Sequence, residues 1–236
     1  MIIERIKRFF EFQRRSVHGP VPLWGVLNGI FILYPIAFFM FFAGGLEVLK
    51  NEDLYQGLLI TGIVVWILNL VFLLDLRRGI LTSFGTYLMY LTGHIYAIIG
   101  FSAMSGDHSF ISLKIFLPLI FAIIVVIVGT CLVNLDSEEI LSEKAVKNIY
   151  NFLFGPPVIL SLCCAFLAMI GYEYFWGWGV SVFFMIMGPY LYRTWLYIIY
   201  AYQHRNDVEE ETSIQHIKVN PDMISNREFD RDRFKK

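Results

Sequence analysis

Charge is what this chain lacks over most of its length. Only 17% of the residues are charged, against 57% hydrophobic and 17% aromatic. The charges that exist gather in the first 18 residues and the last 34, so that Trp24 to Tyr202 is sparsely charged. A soluble domain of 236 residues cannot bury that much apolar surface, and the solvent implied is lipid. The net charge of −1 averages over this partition and identifies no partner. Cysteine is scarce too. Cys131, Cys163 and Cys164 lie in apolar segments without a CxxC spacing, which excludes a disulfide framework or zinc ribbon and leaves them as small core residues.

Catalytic signatures are also missing. There is no GxSxG, no HExxH, no glycine-rich phosphate loop and no acidic pair within the apolar segments that would suit a membrane hydrolase or phosphotransferase. Nothing calls for a cofactor or a metal, and no nucleic-acid signature appears beyond general basicity. The short outer loops carry no Asn-x-Ser/Thr sequon.

What is present begins with an amphipathic segment. From Ile2 to Arg15, helical spacing gathers Ile2, Ile3, Ile6, Phe9 and Phe10 on one side and Glu4, Arg5, Lys7, Arg8, Glu11, Arg14 and Arg15 on the other. That helix is too charged to span a bilayer. Its expected place is flat on an anionic leaflet, with Arg5, Lys7, Arg8, Arg14 and Arg15 as membrane-surface residues; docking onto a partner is the rival. His18-Gly19-Pro20-Val21-Pro22 ends it. The following apolar stretch is too long for a secretory signal and lacks a small-residue cleavage site.

Six apolar windows follow, at about 23–46, 56–76, 79–101, 110–133, 149–171 and 176–201. Each meets the roughly 20 residues that a helix needs to cross about 30 Å of hydrocarbon. Backbone groups cannot go unpaired in lipid, so helices are forced. The expected fold is an all-α integral membrane protein: a six-transmembrane-helix bundle over 19–202, an interfacial helix over 1–18 and a charged tail over 203–236. Lys and Arg place both termini in the cytoplasm of a plasma or inner membrane. They fall at the N-terminus, at Arg77 and Arg78, at Lys144 and Lys147 and in the tail, while only Lys50 and Lys114 lie opposite.

The 4–5 loop, NLDSEEILSEKAVKN, has a helical pattern and suits a short interfacial helix capped by Asp136 or Ser137. The tail, with its acidic run Asp207 to Glu211, is a handle for a soluble partner. Similar proline settings in LYPIAFF and FLPLIFA, and tyrosine-rich strings in spans three and six, hint at an inverted 3+3 repeat.

Polar groups inside a bilayer are costly and mark candidate sites. Arg193 lies 17 residues beyond Trp176, roughly 25 Å along a helix. It either snorkels beside Trp195, Tyr197 and Tyr200 or faces inward toward an anion, with Asp75 at comparable depth as a possible partner. Pro189, after Gly188, frees the Met185 carbonyl and is expected to bend the last span. His94, with Tyr90 one turn before it, forms a face that can carry a ligand or proton. Asn28 and Asn69 read as interhelical hydrogen-bonding groups. The ligand or pore candidates are therefore Arg193, His94, Tyr90, Asn69, Asn28 and Pro189.

Three functions compete. The first is a non-enzymatic multi-pass subunit that anchors, senses or scaffolds in a membrane complex, self-associated or joined to another membrane subunit, with a soluble partner at 203–236. The second is a channel or small-solute carrier with its site near the kinked sixth span. The third, an integral-membrane enzyme, requires His94, Tyr90 and Arg193 to converge on one cavity.

Overall fold

A computed structural model describes residues 2–15, 17, 19, 21–75, 79–134, 142, 144, 147–148 and 150–204. The structure is 86% helical, with no strand among the described residues. The helices are α1 (Ile2–Arg15), α2 (Leu23–Leu49), α3 (Glu52–Phe72), α4 (Ile80–Met104), α5 (Ile111–Cys131), α6 (Asn151–Met169), α7 (Phe175–Tyr192) and α8 (Trp195–Gln203). Most of the 4–5 loop, with Asp136 and Ser137, and the tail from residue 205 on fall outside the described residues, as do Arg77 and Arg78.

Five helices, α2 to α6, are long and apolar enough to cross a membrane. The sixth window departs from expectation. Its apolar helical part, Phe175–Pro189, is shorter than the others, and the helix ends at Tyr192 before restarting at Trp195. Pro189 sits inside α7, and the interruption lies beyond it, at Arg193-Thr194. There the ladder tightens to i−3 bonds: Thr194 N–H donates to Leu191 O (3.1 Å), Leu196 N–H to Arg193 O (2.9 Å) and Tyr197 N–H to Thr194 O (3.0 Å). The Thr194 hydroxyl also takes Leu191 O at 2.6 Å. The break thus falls about a turn beyond Pro189, in a short stretch of i−3 bonds.

Local chemistry sets the other boundaries. Lys50, in the left-handed region at φ 51°, closes α2, and the Asn51 side chain caps α3 by accepting from Leu54 N–H at 3.0 Å. Glu52 and Asp53 complement the positive end of α3. Within α2, Gly29–Leu33 form a π turn just ahead of Pro35. Proline offers no N–H to the previous turn, and the widened turn absorbs the mismatch. The Ile30 carbonyl in that turn accepts from Trp66 Nε1 at 3.0 Å, so α3 satisfies a group of α2.

Only 17% of the apolar window is buried within the bundle for α3, α5 and α6, against 39% for α4. α4 is therefore the central helix, and the others expose apolar side chains such as Phe39, Ile60, Ile123 and Phe166 outward. Exposed apolar surface on this scale requires lipid or protein cover, and the chain is an all-helical, multi-pass membrane protein. α2 crosses α4 closely at Gly100, where a Cβ would stand 2.6 Å from Met40 Cβ and 3.0 Å from its backbone carbon. Beside that crossing, Tyr34 and Tyr96 pack edge to face at 5.9 Å, with Phe41 4.9 Å from Tyr96. Their hydroxyls donate to Gly62 O (3.2 Å) and Leu58 O (2.8 Å) on α3.

α1 docks on its own bundle. Phe9 is buried where Gly129 leaves room for its ring, and Phe10 meets Trp195 edge to face at 5.8 Å. Arg5 donates to Cys131 O at 2.9 Å and Arg8 to Asn134 O at 3.3 Å. These carbonyls lie at or just past the end of α5, where helical carbonyls lack internal partners.

Candidate functional site

α2, α4 and α7 enclose a cavity of about 430 Å³ that runs along α4 from Tyr90 to Phe101, a rise of roughly 16 Å. Gly29, Ala37, Gly93 and Ala97 make the space by carrying little or no side chain. Met40, Met89, Phe183, Phe184 and Met187 supply much of the wall. Its three polar side chains are Tyr34, whose hydroxyl donates to Gly62 O on α3, Tyr90 and His94. His94 is buried, its ring 5.8 Å from that of Phe184. Tyr90, one turn earlier, reaches toward Gly25 near the α1 end. The size suits a small molecule, and the walls suit one that is itself apolar.

The other candidates lie elsewhere. Arg193 is half-buried at the α7–α8 turn and does not line this cavity, nor does Pro189. Asn69 is buried between α3 and α4, where its amide donates to Val65 O at 2.8 Å and its carbonyl lies against Gly85. Asn28 is half-buried at the start of the π turn. Of the surface cations, Arg5 and Arg8 bind backbone carbonyls, while Lys7 and Arg14 are exposed; the side chain of Arg15 is outside the described residues. No cluster of three metal-ligating side chains occurs among the described residues.

At the opposite end stands a group that sequence reasoning counted only as a topology marker. Lys114 is completely buried, its Nζ 2.6 Å from Asp107 Oδ2 and 3.3 Å from Asp107 O. It also lies 5.3 Å from the centre of the Trp178 ring, a cation–π contact. Three helices meet here. Ser102 comes from α4 and Lys114 from α5, while α7 brings Trp178, Ser181, whose hydroxyl donates to Lys114 O at 2.6 Å, and Gly177, where a Cβ would stand 2.6 Å from Ser102 Oγ. Ser102 Oγ is buried without a hydrogen-bond partner among the described residues. Asp107 lies in the loop before α5. Partial burial raises its carboxyl pKa, but hydrogen bonds from Lys114 and Ser109 and the Lys114 charge outweigh that and hold it below the ordinary value. The available signal was an acid seven residues before the only lysine inside a span.

Fold and cavity together define a multi-pass helical membrane protein with a lateral apolar pocket. No protein-family model, curated protein or solved structure matches the chain.

Proposed function

We propose that the protein is a non-enzymatic subunit that anchors, senses or scaffolds within a membrane complex, with both termini in the cytoplasm. The observation that carries this reading is the dispersal of its reactive side chains. His94 and Tyr90 share a cavity, Arg193 stands apart from it at a helix break, and Asn69 is bound to its own helix. Catalysis needs acid, base and polarising groups within hydrogen-bond reach of one reacting atom. The cavity walls favour an apolar guest over a hydrated ion, which weighs against the channel or carrier reading. The largely unburied apolar faces of α3, α5 and α6 leave room for a membrane partner as well as for lipid. The cytoplasmic placement rests on the distribution of lysine and arginine.

The test is extraction in mild detergent followed by mass and composition analysis of the particle. A defined assembly, of this chain alone or with a second polypeptide in fixed ratio, is expected. A lone monomer whose phenotype survives deletion of 203–236 sinks the reading. Solute flux in reconstituted vesicles that is lost in His94→Ala would favour a carrier.

A further inference from the structure

Four of the five cations of α1 form two pairs with different surroundings; the side chain of the fifth, Arg15, is outside the described residues. Arg5 and Arg8 are committed to backbone carbonyls at the end of α5. Lys7 and Arg14 instead flank a groove of about 320 Å³ between α1 and α8, with Glu11 between them. Their spacing of seven residues keeps them on one face of α1, roughly 10 Å apart along its axis. The opposite wall is apolar: Trp195, Leu196 and Ile199, with Trp195 steadied by its edge-to-face contact with Phe10.

Two cations against one carboxylate leave the groove one positive charge in excess. That complements a single phosphodiester, and the apolar wall complements the glycerol and upper acyl carbons that follow a phosphate in a lipid. A tryptophan at this level is also typical of membrane–water interfaces. We propose that the α1–α8 groove binds a monoanionic glycerophospholipid from the leaflet on the α1 side. Its phosphate lies between Lys7 and Arg14, and its upper chains lie along Trp195, Leu196 and Ile199. This differs from general attraction of a basic helix to an anionic surface, because Arg5 and Arg8 take no part.

The experiment uses the full chain in phosphatidylcholine nanodiscs containing a minor fraction of phosphatidylglycerol with brominated acyl chains, which quench nearby tryptophan. Lys7→Gln with Arg14→Gln should weaken the phosphatidylglycerol preference about fivefold per cation, or about thirtyfold together. Arg5→Gln with Arg8→Gln should leave it within about twofold of wild type. Ile199→Glu covers the case in which the arginine variants undock α1: it adds a carboxylate to the groove from α8, and should reduce the preference severalfold. Trp195→Phe should remove the part of the quenching that the Lys7 and Arg14 substitutions abolish, while exposed Trp24, Trp66 and Trp176 go on reporting the surrounding lipid. Equal losses in the two double variants, with Ile199→Glu unaltered, would mean a diffuse basic face and overturn the proposal. So would an unaltered preference in Ile199→Glu by itself. Relief of quenching by millimolar inorganic phosphate would assign the groove to free phosphate instead and likewise overturn it.

Discussion

Removing either member of the Lys114–Asp107 pair should have very unequal effects. Lys114 is wholly enclosed, whereas the Asp107 side chain is 10% exposed and sits in a loop from which it can turn toward water. Asp107→Asn keeps the shape but strands the lysine. The Asp107 carboxylate accepts from Lys114 on Oδ2 and from Ser109 N–H on Oδ1, the latter at 3.0 Å. An amide can face only one of these donors with its oxygen and must turn its NH₂ on the other. Leaving a buried charge without its counter-ion costs about 3–5 kcal/mol. For a chain of this size that corresponds to a fall in Tm on the order of 10 °C. Lys114→Met removes the charge, retains the length of the side chain and its contact with Trp178, and releases Asp107 to solvent, so it should cost no more than about 1 kcal/mol. Size-exclusion thermostability of detergent-purified variants measures the difference. If Lys114→Met proves the more damaging change, or if the two variants melt together, the pair is not held as a desolvated lysine with a rehydratable acid and the reasoning is wrong.

The same pair gives an acid-side dependence. Because the folded carboxyl is held below its ordinary value, its contribution is complete above about pH 4 and is lost as the pH falls through the folded value. Melting temperatures below about pH 4 should therefore drop more steeply in the wild type than in Lys114→Met, and parallel slopes would refute this. Gly100→Ala should destabilise the α2–α4 crossing by roughly 1–3 kcal/mol, since the added methyl meets the Met40 backbone and not a flexible tip; an unchanged Tm would show that the helices can separate without cost. Ala97→Leu should fill part of the α2–α4–α7 cavity and raise stability by roughly 0.5–2 kcal/mol, whereas a lower Tm would show that the space is too narrow for a branched side chain.

Legibility from the sequence followed the physics of each feature. The run length of apolar residues is a direct measure of bilayer-crossing capacity, so the helical membrane character and five long spans could be read without coordinates. The break in the sixth at Arg193-Thr194 could not be read, because Pro189 marks a bend in the sequence but not the residues at which the backbone ladder tightens to i−3 bonds. His94 and Tyr90 were found together because they share a helix face one turn apart. Their separation from Arg193 depends on how α7 packs, which lies outside one-dimensional spacing. Lys114, in the first turn of α5, could be read as a topology marker, but its burial could not, because hydropathy averages it away among its apolar neighbours. Its burial follows from a glycine at 177 and a serine at 181 arriving from another helix. The amphipathic pattern of α1 showed that an apolar face needed cover, but Gly129, which receives Phe9, is distant in the chain.

That distance has a consequence for biosynthesis. Arg5 and Cys131, like Arg8 and Asn134, are 126 positions apart, so the seat of α1 does not exist until the fifth helix has left the ribosome. Throughout insertion of the earlier spans, Phe9 and Phe10 have no site on the protein, and a helix synthesised ahead of every span is among the last to find its place. Docking of α1 is thus a closing step of maturation, and a nascent chain arrested before residue 129 should still offer that helix to the membrane surface or to a chaperone.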